Sequence, residues 1–163
     1  MARALLVGCG CRGRELGREL LDRGWAVRGT SRREAGLAEI AEAGIEPARA
    51  DPERIGTVFD LVSDVAVIAW LLGSAEGEPE DLAALHGPRL ESLLERLVDT
   101  PVRGFLYESA GSVPAPLLGT GAGIVEAAAE RWRIPVGLVE ADPDEPGDWL
   151  SAAAVAVEEL VAG

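Results

Sequence analysis

Apolar residues fall along this chain in short blocks that alternate with stretches of helical spacing. Residues 2–7 form a short apolar run, and residues 14–23 then place Leu16, Leu20 and Leu21 on one face of a helix. Residues 25–28 read as a second strand, 34–43 as a short helix ended by Gly44, and 45–49 as a third strand stopped by Asp51-Pro52. Residues 53–62 read as helix. Within 64–70 the unbroken sequence Val65-Ala66-Val67-Ile68-Ala69 marks a strand covered on both faces. A loop rich in Gly, Ser and Glu fills 73–79, and a helix follows whose main part starts at Pro88 and buries Leu90, Leu93, Leu94 and Leu97. Residues 102–107 give a fifth strand, followed by a Gly/Pro-rich loop to about Gly119. The pattern closes with a helix over 122–132, a sixth strand over 135–139 and an amphipathic helix over 148–161.

Strands alternating with helices imply right-handed crossovers, and so an α/β, three-layer, doubly wound Rossmann fold. It has about six parallel strands with helices on both faces. No repeat or linker divides the sequence, so residues 1–163 read as a single domain. In such sheets ligands bind beyond the carboxyl ends of the strands, where strand order reverses.

The loop after the first strand reads Gly8-Cys9-Gly10-Cys11-Arg12-Gly13, a complete G-x-G-x-x-G that opens a helix inside a βαβ unit. Gly8 permits the tight turn, Gly10 lets backbone approach a pyrophosphate, and Gly13 lets the helix pack on the strand. Cys11 and Arg12 supply amides at the helix start, where an anion is favoured. A competing reading starts from Gly8-Cys9-Gly10, which is similar to the G-C-G-x-G loop of proteins that bind S-adenosylmethionine. Leu6 stands where those proteins carry an acid, and Arg12 where their last glycine falls. An NAD site wants an acid about 20 residues past the glycines to hold the ribose hydroxyls. This chain has Arg28-Gly29-Thr30-Ser31-Arg32-Arg33 there. Thr30, Ser31, Arg32 and Arg33 suit a 2′-phosphate, so NADP is expected in preference to NAD.

Composition narrows the partners. The net charge is −13, from 28 acidic and 15 basic residues, and all the basic ones are Arg. Such a field repels nucleic acid and anionic membranes. No apolar run is long enough for a bilayer, and residues 1–8 lack the features of a secretion signal, so the expected location is cytoplasmic. Cys9 and Cys11 are too few for a disulfide framework or a zinc site. They read first as small residues filling a tight turn, and no metal is expected.

The glycine loop, residues 28–32, Asp51, the loop at 69–73 and the segment Gly104-Phe105-Leu106-Tyr107-Glu108-Ser109-Ala110-Gly111 together resemble the short-chain dehydrogenase/reductase superfamily, in its atypical, epimerase-like branch. The resemblance implies Asp51 at the adenine amino group, Ala69 and Trp70 near the cofactor ribose, and Ser109 as the catalytic serine. It also implies a Tyr-x-x-x-Lys pair on the helix after strand five, and that pair is missing. The helix has no Tyr, and the chain has no Lys. Tyr107, the sole tyrosine, is then the second candidate for proton handling, with Glu108 or His86 behind Ser109 and Tyr107. Glu108, Glu140 and Asp142 follow strands and could line the cleft or serve as solvated loop acids. The chain also stops shortly after strand six, without the region that encloses substrate in epimerase-like members.

Two functions follow as expectations: an NADP-dependent oxidoreductase with an altered active site, or a non-catalytic NADP-binding sensor. Trp25, Trp70, Trp132 and Trp149, with the Ala/Val-rich last helix, offer either ordinary core or an apolar surface for a homodimer.

Overall fold

Ala4, Leu5, Leu6 and Val7 are fully buried, on both faces of strand β1 (Arg3–Val7), as befits a strand in the middle of a covered sheet. The computed structural model describes residues 2–162. Helix α1 (Cys11–Asp22) returns the chain to β2 (Ala26–Ser31), and α2 (Glu34–Glu42) to β3 (Glu46–Arg49). A short helix, α3 (Ile55–Phe59), precedes β4 (Val67–Trp70). Helices α4 (Pro79–Leu85) and α5 (Pro88–Arg96), with a 3-10 turn at Leu97–Asp99, lead to β5 (Gly104–Glu108). Helix α6 (Ala115–Trp132), β6 (Val136–Val139) and α7 (Pro146–Ala162) complete the chain.

The strands form one six-stranded sheet in the order β3-β2-β1-β4-β5-β6, parallel at every pairing. Strand alternation sorts the core into two layers. Ala4, Leu6, Val67, Ala69 and Leu106 pack towards α1, α2 and α7. Leu5, Val7, Ile68, Trp70, Phe105 and Tyr107 pack on the other face, with α3, α5 and α6. Strand β3 is an edge and largely exposed, which lets it carry Pro47, whose missing N–H would break a central ladder.

Several boundaries differ from the periodicity, each for a local reason. Helix α1 starts at Cys11, inside the glycine motif, so its first turn is part of the loop. Helix α3 has five residues, because Thr57 Oγ1 donates towards the Asp51 and Arg54 carbonyls while the Asp51 carboxylate accepts from the Glu53 N–H at 3.0 Å. Helix α6 runs from Ala115 through Gly119, Gly121 and Gly123, where glycine content suggests a loop. Gly121 is needed there because a Cβ would strike the Tyr107 ring, so close packing on β5 overrides propensity. Trp25, Trp70 and Trp149 are buried in this core, and Trp132 is partly buried against it. No described helix is long and apolar enough to cross a membrane.

Candidate functional site

Strand order reverses at the β1–β4 pairing: the chain builds outward through β2 and β3, then crosses to β4 and builds the other way. Loops leaving these two neighbours diverge and open a crevice at their carboxyl ends. A cleft of about 750 Å³ lies there. Its floor is the glycine loop, its one end Thr30 and Ser31 of β2 with Arg32 and Arg33 beyond them, and its other wall Leu71, Leu72 and residues 74–77 after β4. Glu108 contributes from β5, Pro143 from the approach to α7 and Trp149 from α7 itself.

The glycines in the loop have different grounds. Gly8 has φ +90°, and a Cβ on it would stand 2.5 Å from the Leu71 carbonyl oxygen, so both conformation and the β4 loop require glycine. At Gly13 a Cβ would be 3.1 Å from the Gly8 carbonyl oxygen, which sets how closely α1 approaches β1. Gly10 is unlike either. Its φ is −81°, open to any residue, and a Cβ there would meet no protein atom within 4 Å. Gly10 is also the N-cap of α1 and provides no side-chain cap, and the first turn has no acid. The amides of that turn are free to receive an anion.

Arg12, Arg14, Arg32 and Arg33 line the same opening, interleaved with Glu39, Glu53, Glu76, Asp81 and Glu108. Arg12 lies in the first turn of α1 and reaches Asp144, before α7, at 4.0 Å. Arg32 stands 3.6 Å from Glu53, and Arg49 holds the Arg32 carbonyl at 2.6 Å and also pairs with Glu34. Arg33 is exposed, lines the cleft and has no salt bridge among the described residues. Arg28, the first of that arginine run, is used elsewhere: its guanidinium pairs with Glu46 and Asp64 and donates to the Leu61 carbonyl, tying β2 to β3 and to the approach to β4. The Cys9 thiol is buried and pushed up to about 12 by loss of solvent, so it stays a neutral packing group. Cys11 is exposed at the cleft.

The cleft therefore brings together Gly8, Gly10, Cys11, Arg12, Gly13, Thr30, Ser31, Arg32 and Arg33. It does not bring in five other candidates. Ala69 and Trp70 are fully buried on opposite faces of β4, and the cleft begins just beyond them, at Leu71 and Leu72. Asp51 lies outside the lining and spends one carboxylate oxygen on the Glu53 amide. Ser109 is half-buried and turns its hydroxyl to the Val139 carbonyl at 3.3 Å. Tyr107 is fully buried on the α6 side, and burial raises the pKa of its hydroxyl above the usual range.

Tyr107 belongs to a closed interior network. The Leu72 carbonyl can only accept, so His86, 3.0 Å away, presents protonated Nε2 to it. Nδ1 then accepts from the Tyr107 hydroxyl at 2.6 Å. Both ring nitrogens are satisfied in the neutral form, and burial lowers the pKa of His86. Since the folded pKa is depressed, neutral His86 contributes stability that is complete above its ordinary value of 6.5 and is lost as pH falls below it. The stability advantage of the wild type over His86→Leu in urea unfolding is thus expected to shrink between pH 7.5 and pH 5. A gap that stays constant or widens would overturn the neutral state of the buried ring.

Of the strand-end acids Glu108, Glu140 and Asp142, which the sequence offers as cleft-lining or solvated, Glu108 is the one built into the cleft. It is 4% exposed and lines the cleft. One oxygen accepts from the Gly73 N–H at 2.8 Å, the other from the Trp149 indole N–H at 2.8 Å. Burial raises its pKa, and these two donors and the field of Arg12 pull the other way. The available signal was a charge ending the otherwise apolar strand Gly104-Phe105-Leu106-Tyr107-Glu108.

This architecture recurs among solved structures. A Corynebacterium glutamicum protein assigned to the short-chain dehydrogenases/reductases superposes with a TM-score of 0.74 at 22% identity, over 96% of this chain and 91% of that one. A short-chain dehydrogenase from Streptomyces avermitilis gives 0.70 at 18%, over 99% and 84%. UDP-glucuronic acid 4-epimerase from Bacillus cereus, solved with NAD, gives 0.64 at 16% over 83% of this chain, which spans 54% of the epimerase. Neither a protein-family model nor a curated protein sequence matches the chain. The fold is thus shared with short-chain dehydrogenases/reductases and sugar-nucleotide epimerases.

Proposed function

We propose that the cleft binds a dinucleotide, NADP in preference to NAD, in a protein of oxidoreductase type. One observation carries the reading: Gly10 stands bare at an uncapped helix N-terminus although neither its backbone nor its protein neighbours require glycine. A missing side chain facing open space is what close approach of a pyrophosphate demands. The amides of Cys11, Arg12 and Gly13 would hold the phosphates, with Arg12 beside them. Ser31, Arg32 and Arg33 would hold the 2′-phosphate, and no carboxylate occupies the end of β2 to repel it. When bound, the nicotinamide would supply hydride chemistry. The protein's part is to bind, to orient and to keep water from the reacting end. The dehydrogenase/reductase assignments and the NAD of the epimerase structure belong to those proteins and agree with this reading.

The deciding variant is Gly10→Ala. Loss of a glycine N-cap costs folding at most about 1 kcal/mol. The methyl group would lie on the proposed pyrophosphate path, so NADPH affinity is expected to fall at least about tenfold. Calorimetric titration of wild type and variant, beside their unfolding curves, checks both. Equal NADPH affinity in the two proteins would sink the reading, as would failure of the wild type to bind NADPH or NADH. S-Adenosylmethionine would then be the next ligand to titrate.

A second reading, an NADP-binding sensor without turnover, draws on Tyr107. The only tyrosine is committed to His86 inside the core, and α6 provides no Tyr or Lys to replace it. NADPH binding with no consumption of NADPH over a panel of aldehydes and ketones would favour the sensor. Consumption of NADPH with any of them would favour the oxidoreductase.

A further inference from the structure

Glu108 sits where its charge is hardest to reconcile with the proposed ligand. Its carboxyl group lies on the wall of a cleft whose helix N-terminus and arginines suit an anion, and it is 4% exposed. Its hydrogen-bond partners are both neutral, a backbone amide and an indole. The cation whose field reaches it is Arg12, and Arg12 is turned towards Asp144 at 4.0 Å. The other charged groups lining the cleft fall into two sets. Arg14, Arg32 and Arg33 belong to α1 and the β2 end, with Glu39 and Glu53 across from them. Glu76 and Asp81 stand on the β4 loop and α4, adding negative charge on the Gly73 side. Behind Glu108, on the opposite face of the sheet, Tyr107 is neutral.

We propose that dinucleotide binding in this cleft is coupled to uptake of a proton by Glu108. The inference rests on the dinucleotide reading and adds to it. Two effects act in the same direction. Phosphates at the start of α1 place like charge near a buried carboxylate, which favours its neutral form. They also compete for Arg12 and so remove the cation that steadies the ionised form. A protonated Glu108 keeps its carbonyl oxygen as acceptor for one of the two N–H groups that hold it, Gly73 or Trp149, and gains an O–H that can be donated into the cleft. The bond formed is O–H on the carboxyl, and the proton comes from solvent.

NADPH is titrated calorimetrically across pH 6 to 9 in two buffers of different ionisation enthalpy, with wild type and Glu108→Gln. Wild type should take up as much as about one proton per nucleotide, and its affinity should fall by up to about tenfold per pH unit where uptake is complete. Glu108→Gln should show less uptake and a flatter profile. NADH, which lacks the 2′-phosphate, is run beside it, because that phosphate titrates in its own right. Its wild-type uptake should also vanish in the variant. Binding without proton uptake, or uptake unchanged in Glu108→Gln, overturns this inference alone. Failure of wild type to bind either nucleotide overturns it together with the dinucleotide reading. Should Glu108→Gln not fold, the carboxyl carbon of Glu108 is followed by NMR in 13C-labelled wild type. Saturation with NADPH near neutral pH must move it towards the protonated position, and an unmoved signal overturns the proposal.

Discussion

Gly8→Ala is expected to destabilise the protein by about 3 kcal/mol, which for a chain of this size lowers the melting temperature by roughly 6–12 °C. Two costs add. The backbone at φ +90° is strained for any residue with a Cβ, at about 1–2 kcal/mol. The new methyl would also stand 2.5 Å from the Leu71 carbonyl and 2.8 Å from Leu72 Cδ2, so the β4 loop must move by displacing backbone. Overpacking of that kind costs about 1–3 kcal/mol. The contrast with Gly10→Ala is the informative part. Two glycines in one motif should respond oppositely, one mainly in stability and the other mainly in ligand affinity. Urea and thermal unfolding of both variants would show it, and similar unfolding curves for the two would refute the assignment of separate roles.

The second large effect concerns nucleotide choice. Arg32→Ala/Arg33→Ala is expected to weaken NADPH binding by about 30-fold, the loss of charge-assisted bonds worth about 2 kcal/mol at a half-exposed site. NADH affinity should change by less than about threefold, since the adenine ribose without its phosphate gives the guanidiniums nothing to hold. Arg32 shares its charge with Glu53, and Arg33 has no such partner among the described residues. Of the two single variants, Arg33→Ala should therefore be the more damaging. Calorimetry with both nucleotides decides. An equal loss for NADPH and NADH would mean that the arginines support the loop and do not read the phosphate.

The glycine loop was legible because its signal is local. A strand, three glycines at fixed offsets and a helix start all lie within one stretch of chain. The same is true of the arginines after β2, which needed only the strand to extend through Ser31. Residues near the ends of β4 and β5 were harder. Along β4, Ala69 and Trp70 face opposite helix layers and both are interior, so the lining starts at Leu71, a shift that periodicity does not resolve. On β5 the same alternation sends Tyr107 to α6 and Glu108 to α7 and the cleft. The first turns of helix α6 were hidden by glycines, of which Gly121 answers to the Tyr107 ring on the preceding strand, a contact that composition does not reveal, while Gly119 and Gly123 face no neighbour.

The bond between the Trp149 indole and Glu108 has a practical side. A tryptophan that lines the cleft and touches its one buried carboxylate has an excited state sensitive to that group's charge, and its emission overlaps the absorption of a reduced nicotinamide. The molecule thus carries a built-in fluorophore in the wall of its cleft. Binding of the proposed nucleotide would be read as quenching and energy transfer without attaching a dye.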